Sequence, residues 1–543
     1  MPATSPVDVS RKKRVGVFGW GVVAPGASNV GALSALLRRA ETALSQSPHA
    51  GLGHGLFAVG EPDFRFDDYA PWIAARHGDT YVARLRAKMG NNVLFALGAT
   101  VQALSCDARL EPLVRELDAQ VHVYVGSGLG DLPESYRAIR DFDRASRAWN
   151  RFWADGARCA ARRHFDETGA PPAGAEVPEN PFALPLDSDA RFEALAVWDG
   201  FWAAHSDELR AFTRRYREVE LLDADDDDHE KAHLNAIRKR KRAHRKMVDE
   251  VGCPPPPWTA VSPNLLWNIQ NAPAAQITML LGIHGEAWAP VAACSTFGVA
   301  LKCGRDAILS GSAKIAIVGT TDPRPDPALA AAFHEARVMP ATGEANYPFT
   351  SLRGTSVSGG ACVWVLGDAD YLEAHGLRAV GGYVDAVAIS SDAEHIITPS
   401  KSGPKRAIVR AYAEAGIVPS DVAQVDLHAT GTPGDLNELA LVDAFLGEKT
   451  LITARKGVLG HGMANCGGWE LTALALSLKE RAALATGISP EDIHARVPLH
   501  RKPFIVTDEA PLSPGYGVKL MLGIGGVTAC VVLRPSSVEP KGA

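Results

Sequence analysis

The chain has 543 residues, of which 46% are hydrophobic and 22% charged, and a formal net charge of −6; there is ample material for a large core and no global basic charge of the kind a nucleic-acid binder carries. The eight cysteines, at 106, 159, 253, 294, 303, 362, 466 and 530, form no CxxC pair, which excludes a zinc-ribbon or thioredoxin-like motif and fits a reducing, cytoplasmic setting. No run of about 20 apolar residues occurs, so no membrane span is expected.

In chain order, Arg11-Lys12-Lys13 precedes an apolar run from Val15 to Ala24 that superficially resembles a signal peptide. Gly16, Gly19 and Gly21 interrupt it, and a buried first strand followed by a turn is the better reading. Val121 to Val125 is a second β-rich run, and Asn91 to Leu104 has helical apolar spacing; the alternation suggests an α/β fold. From about Pro133 to Trp258 the character changes. This segment holds Trp149, Trp153, Trp198 and Trp202, the acidic run Asp223 to Asp228, the basic run Arg238 to Arg242, and a polyproline-like exit at Pro254 to Pro257. It reads as a mainly helical insertion whose tryptophans pack on the core or on a dimer partner. Its basic face is a candidate dock for an acidic carrier protein, although a solvated helix face offset by the acidic run accounts for the same charges. From Ser262 the α/β rhythm resumes, with strands at Lys314–Gly319, Ala361–Leu366, Val380–Ile389, Val425–Leu427, Val518–Leu522 and Thr528–Leu533. Helices are expected at Asp435–Leu446 and Gly468–Arg481.

Four short segments carry chemistry. Ala293-Cys294-Ser295 lies at the start of an amphipathic stretch from Val299 to Ser310, so Cys294 would sit at a helix N-terminus, which lowers a thiol's pKa. His428-Ala429-Thr430-Gly431-Thr432-Pro433 follows a short strand, with Asp435 placed to favour a helix start. Lys456-Gly457-Val458-Leu459-Gly460-His461 sets a lysine and a histidine among glycines. Gly523-Ile524-Gly525-Gly526 precedes the last strand; no helix or P-loop lysine follows it, so it is not a phosphate loop. Taken singly, each has an ordinary structural reading as a core cysteine, a capped turn or a glycine turn.

In this order and spacing the four segments resemble the β-ketoacyl synthases, whose motifs are a nucleophilic ACS, then HGTGTP, KxxxGH and GFGG. Gly126-Ser127-Gly128-Leu129-Gly130 is similar to the family's GSGxGG turn, Ser262-Pro263 through Asn271 to its SPF…N segment, and Ser391 through Pro399 to its DAxHxTxP stretch. The similarity covers residues 14–132 and 259–534.

The resemblance implies a thiolase fold: two similar α/β halves in a five-layered αβαβα arrangement, with a helical insertion in the N-terminal half. It implies an N-terminal tail at 1–13, an N-terminal half at 14–367 with the insertion at about 133–258, a C-terminal half at 368–536, and a tail at 537–543. It also implies a decarboxylative Claisen condensation in fatty-acid-like or polyketide synthesis. Cys294 would be the acyl-carrying nucleophile, and the backbone N–H groups of Cys294 and Ile524 the oxyanion hole. His428 and His461 would hydrogen-bond the malonyl carbonyl, and Lys456 would tune their electrostatics. Thr430 and Thr432 would bind the pantetheine arm, and Asp435 and Glu438 would support Lys456 and the loop. No resident cofactor and no metal is implied, because phosphopantetheine is carried by the partner acyl-carrier protein. The expected partners are that carrier with its malonyl and acyl thioesters, and a second subunit, either identical or related. Two alternatives stand beside this reading: a thiolase-like acyltransferase, and a non-catalytic chain-length partner subunit, against which the presence of Cys294 argues.

The chain departs from the family pattern at several points. Ala429 stands where the family has Gly, one residue is missing between Pro433 and Gly434, and the stretch Pro348 to Cys362 lacks the family's acidic residues. Ile524 replaces an aromatic gate, which predicts a wider pocket mouth and a bulky, branched, aromatic or unsaturated acyl starter.

Overall fold

A computed structural model describes residues 13–46, 55–222, 229–392 and 402–541, with backbone alone at 229–232. The acidic run 223–228, most of the 391–399 stretch and nearly all of the N-terminal tail lie outside the described residues. Residue contacts divide the chain into two units, one comprising 1–133 and 266–543, the other Glu134–Leu265.

Ten strands of the first unit form one mixed sheet. The N-terminal half supplies β1 (Val15–Val23), β2 (Val121–Gly126), β3 (Ala287–Trp288), β4 (Ile315–Asp322) and β5 (Gly360–Asp368). The C-terminal half supplies β6 (Tyr383–Ser391), β7 (Val422–Asp426), β8 (Leu451–Thr453), β9 (Tyr516–Gly523) and β10 (Val527–Arg534). The spatial order is β8-β7-β9-β10-β6-β1-β5-β4-β2-β3. Read outward from the centre, each half runs first strand, fifth, fourth, second, third. In both halves the fifth strand is antiparallel to its two neighbours and the remaining pairs are parallel. The halves meet at a single antiparallel pairing, Gly16 with Tyr383.

Alternation along the strands sorts the side chains into layers. On β5, Cys362, Trp364 and Leu366 face a central core, while Ala361, Val363 and Val365 face an outer one. On β10, Ala529, Val531 and Leu533 share that central core, while Cys530 and Val532 face the opposite outer core. The central layer between the halves contains two helices, Thr296–Ser310 and Cys466–Glu480. Helix Asn91–Leu104 covers the outer face of the N-terminal half, and Ser402–Ala415 that of the C-terminal half. This is the two-half, five-layered α/β architecture that the family resemblance implies. Because both faces of the sheet are covered, all nine residues of β1 and all eight of β4 are buried, as near-continuous apolar strands require.

The second unit is helical, with helices at Asp189–Ala204, Asp207–Glu220 and His229–Val251 among others. Its tryptophans differ from expectation. Trp149, Trp153, Trp198 and Trp202 build the unit's own interior: Trp149 and Trp153 with Phe212 and Met247, and Trp198 and Trp202 with Cys159. Their rings meet mainly edge-to-face, for example Trp198 and Trp202 at 5.7 Å between centroids. Within the basic run, Arg238, Lys239, Lys241 and Arg242 are exposed on one helix.

Candidate active site

Cys294 lies in a single helical turn, Ala293–Ser295, that runs into helix Thr296–Ser310. Ala293 before it has φ +48°, a left-handed conformation that is costly for a residue with a Cβ and that marks a sharp turn at the nucleophile. Thr296 fastens the turn, its hydroxyl donating to the Ala293 carbonyl at 2.7 Å and accepting from the Ala292 N–H at 2.9 Å. The backbone N–H groups of Ile524 and Cys294 both act on the Cys294 sulfur, favouring its charged form. Gly523 is required beside them, because a Cβ there would stand 2.7 Å from the Ala292 carbonyl oxygen. The two donors assigned to the oxyanion hole therefore converge on one point.

The helix terminus does not lower the thiol's pKa as the sequence suggested. Burial pushes the Cys294 thiol up to about 11, against the opposing pull of the Lys456 ammonium and the two N–H donors. The side chain is almost wholly removed from water, and desolvation of a thiolate outweighs a partial dipole charge.

His428 follows β7, and His461 follows the short helix Lys456–Leu459. Gly460 turns the chain between that helix and His461 at φ +73°, and a Cβ there would press on the Ser358 hydroxyl at 2.7 Å. The two imidazoles meet edge-to-face with centroids 5.5 Å apart. The Cys294 sulfur and one ring nitrogen from each histidine all lie within 4.8 Å of one another.

That spacing also suits a metal, but the neighbours of the rings do not. The Met463 N–H donates to His461 Nδ1 at 3.1 Å, and the Lys456 ammonium approaches His428 Nδ1 at 3.5 Å. A neutral imidazole that accepts at Nδ1 carries its proton on Nε2. Each ring thus carries its N–H donor on Nε2 and accepts at Nδ1, whereas a metal ligand would need a lone pair toward the ion and an acceptor behind the ring. Burial, followed by the Lys456 charge, holds His428 well below its ordinary pKa and His461 at about 3, so both stay neutral.

Asp435 and Glu438 hold the His428 loop through its backbone. Glu438 accepts from the N–H groups of His428 at 2.7 Å and Ala429 at 2.8 Å. Asp435 accepts from Thr430, Gly431, Thr432 and, across the fold, Phe349. Burial raises the Asp435 carboxyl to about 6 and that of Glu438 to about 7. The expected support of Lys456 by these two acids is not what the structure has: Lys456 pairs with Glu470 at 2.7 Å and also donates to the His428 carbonyl. Thr430 and Thr432 join hydroxyls at 3.1 Å and line the cavity.

That cavity, of about 760 Å³, opens onto Cys294, His428 and His461; its lining joins apolar side chains such as Phe333, Val338, Leu441 and Leu522 to the polar Thr355, Thr430, Thr432 and Asn437. Ile524 is 48% exposed at its edge.

Sequence reasoning passed over Glu470, Lys519, Asp426, Arg455, Asp322 and Phe333. The signal was a charge inside an apolar element: Glu470 in Trp469-Glu470-Leu471, and Lys519 between Val518 and Leu520. Such groups are almost never fully buried unless paired. Asp322 accepts from Ser127 Oγ at 2.9 Å, Leu129 N–H at 3.0 Å and Ala464 N–H at 2.8 Å, joining the early glycine turn to the His461 loop.

Comparison with known proteins defines the class. The family model described as "Beta-ketoacyl synthase, N-terminal domain" matches residues 252–370, and that described as "Beta-ketoacyl synthase, C-terminal domain" matches 382–487. A 3-oxoacyl-[acyl-carrier-protein] synthase 2 of Staphylococcus aureus is 30% identical over 282 residues, which is 49% of this chain and 67% of that relative. The same-named protein of strain COL gives 30%, 49% and 66%, so the chain spans about two thirds of the length of such relatives. The β-ketoacyl synthase of Burkholderia phymatum STM815 shares the fold, with a TM-score of 0.66 at 17% identity over 96% of this chain and 99% of its own. The ishigamide ketosynthase/chain length factor does so with a TM-score of 0.64 at 18% identity over 97% and 100%. The chain belongs to the β-ketoacyl synthase family.

Proposed function

We propose that the protein condenses an acyl group held on Cys294 with a malonyl thioester carried by an acyl-carrier protein, with loss of CO2. The observation that supports this most is the convergence of one sulfur, two backbone N–H donors and two imidazole Nε2–H donors at the head of an apolar cavity. In the first half-reaction the Cys294 sulfur attacks the acyl thioester. Its proton passes to the departing carrier thiolate, and the Ile524 and Cys294 N–H groups receive the oxyanion. In the second, the Nε2–H groups of His428 and His461 bond the malonyl thioester carbonyl. The C–C bond to the carboxylate breaks, CO2 leaves, and the electron pair rests on the enolate that they stabilise. The enolate carbon then attacks the acyl-Cys carbonyl, and the Cys294 thiolate departs and takes up a proton. Thr430 and Thr432 hold the pantetheine arm at the cavity mouth.

A thiolase-like exchange is disfavoured by Cys466. This second thiol is buried, donates to the Met463 carbonyl at 3.1 Å and is held well above the ordinary thiol range by burial, so it stays protonated and does not stand ready to take a proton. A silent chain-length subunit would have no use for the donors gathered at Cys294.

The reading needs no resident cofactor, since phosphopantetheine arrives on the carrier. A cytoplasmic setting fits eight free cysteines, and no described helix is long and apolar enough to cross a membrane. A subunit partner, identical or related, is part of the proposal. Intact-protein mass spectrometry with acyl-carrier protein tests it: wild type should gain one acyl group, and Cys294→Ala none. Equal acylation of both would overturn the assignment.

A further inference from the structure

Behind the histidine pair lies a chain of five charged side chains, each at most 2% exposed. Lys456 pairs with Glu470, and Glu470 pairs also with Lys519 at 2.6 Å. Lys519 continues to Asp426 at 2.8 Å, and Asp426 to Arg455 at 3.1 Å. Three cations stand against two carboxylates, so one positive charge is left uncompensated within the cluster. The proposed reaction engages only Lys456, through His428.

Three observations give the far end of the cluster a role. Lys519 donates to the Leu427 carbonyl at 3.0 Å, the residue that leads into His428. It sits on β9, whose C-terminal end delivers Ile524 to the oxyanion hole. It also claims the carboxylate that would otherwise neutralise Lys456 alone. A lysine that merely filled space here would be poorly chosen, because an isolated buried ammonium is costly and an apolar residue of similar volume is often neutral or better.

We propose that Lys519 is a positioning residue for the histidine pair: by sharing Glu470 with Lys456 and anchoring Asp426 and the Leu427 carbonyl, it keeps a net positive charge behind both imidazoles and so keeps their Nε2–H groups directed at substrate as neutral donors, even in acid. This deepens the condensation reading and rests on it for the word substrate. The other charged groups around the pair do not supply the effect. Glu438 and Asp435 bind backbone N–H groups, and Asp322 is engaged by Ser127, Leu129 and Ala464. Cys294 and Cys466 are thiols whose buried environments disfavour charge.

The test changes the buried net charge in steps. Lys519→Met removes one positive charge and leaves the cluster neutral. Lys519→Met with Asp426→Asn restores the wild-type net charge while losing the same ion pair, and Lys519→Arg keeps both charge and donors. The readout is imidazole protonation by 15N–1H NMR on the intact, substrate-free protein, which needs no activity and so separates this inference from the condensation reading. In wild type, in the double variant and in Lys519→Arg, both rings should stay neutral down to about pH 5, well below the ordinary histidine value of about 6.5. In folded Lys519→Met, at least one ring should titrate between about pH 5 and 7, and malonyl decarboxylation should acquire an acid limb at the same pH. If Lys519→Met does not fold, Asp426→Asn alone decides the matter. It raises the net charge and should push ring protonation still lower. Histidine titrations unmoved by these changes, or moved equally in the single and double variants, would overturn the proposal.

Discussion

Burial and backbone donors act on the Cys294 thiol in opposite directions, and the balance leaves it protonated at rest. Acylation should therefore gain from rising pH into the alkaline range. The histidines are set the other way, neutral and donating at Nε2 because Met463 N–H and Lys456 occupy Nδ1. His428→Ala and His461→Ala should each retain acyl transfer to Cys294 and lose roughly 10²-fold or more in malonyl decarboxylation, as for removal of an oxyanion donor. Release of labelled CO2 measures it, and a normal rate in both variants would refute the roles. Ile524 acts twice, its N–H at the sulfur and its side chain at the cavity edge. Isoleucine is shorter than the aromatic it replaces, so Ile524→Phe should shift preference from bulky or unsaturated starters toward slim saturated chains and leave decarboxylation largely intact. A panel of acyl donors compared side by side decides this; unchanged selectivity ends the idea.

At the scale of elements, the sequence showed more of the helices and strands than of what pins them together. Asn91–Leu104 was legible from its apolar period, and the catalytic turns from their glycines. The helix Cys466–Glu480 was read as a helix, but its central use was not visible: it carries Glu470 to Lys456 and seats Trp469 against the Ala361 carbonyl at 3.0 Å. The packing partners of Trp149, Trp153, Trp198 and Trp202 are not legible in the sequence, for a physical reason. Aromatic residues at helical spacing say that a face is buried but not against what. Within this unit Trp202 is fully buried and packs against Phe165, Trp198 and Phe201 in tilted and edge-to-face contacts. Trp202→Ala should cost about 3–5 kcal/mol by cavity formation. Chemical denaturation followed by tryptophan fluorescence would show it, and a loss below about 1 kcal/mol would mean that the helices close the gap.

Over the whole molecule, charge buried around the site couples catalysis to stability. His461 is held at about 3 in the folded protein against about 6.5 when unfolded. As pH falls from about 6.5 toward 3 the unfolded chain takes up a proton that the folded chain refuses, so this group's contribution favours folding above that window and is lost on acidification. The raised carboxyls of Asp322, Asp435 and Glu438 act in the opposite sense, and they cancel in a comparison with a variant that keeps them. Urea midpoints at about pH 7 and pH 5 should fall further for wild type than for His461→Gln. An equal drop would show that His461 is not held neutral by the fold.

What the sequence determined alone was local and ordered: a cysteine before a helix, histidines in two glycine turns, a glycine loop before the last strand, and an alternation of strands and helices implying an α/β fold, whose division into two halves came from the family resemblance. Each follows from backbone geometry that neighbouring residues dictate. The tertiary structure decided the protonation states and the pairings. Cys294 is raised because the fold desolvates it, the imidazoles are donors because Met463 and Lys456 sit behind them, and Lys456 pairs with Glu470 because the fold brings the Cys466–Glu480 helix within reach of it. Such effects depend on distance and dielectric between residues far apart in the chain, where Coulomb energies change several-fold with burial, and no local pattern records that.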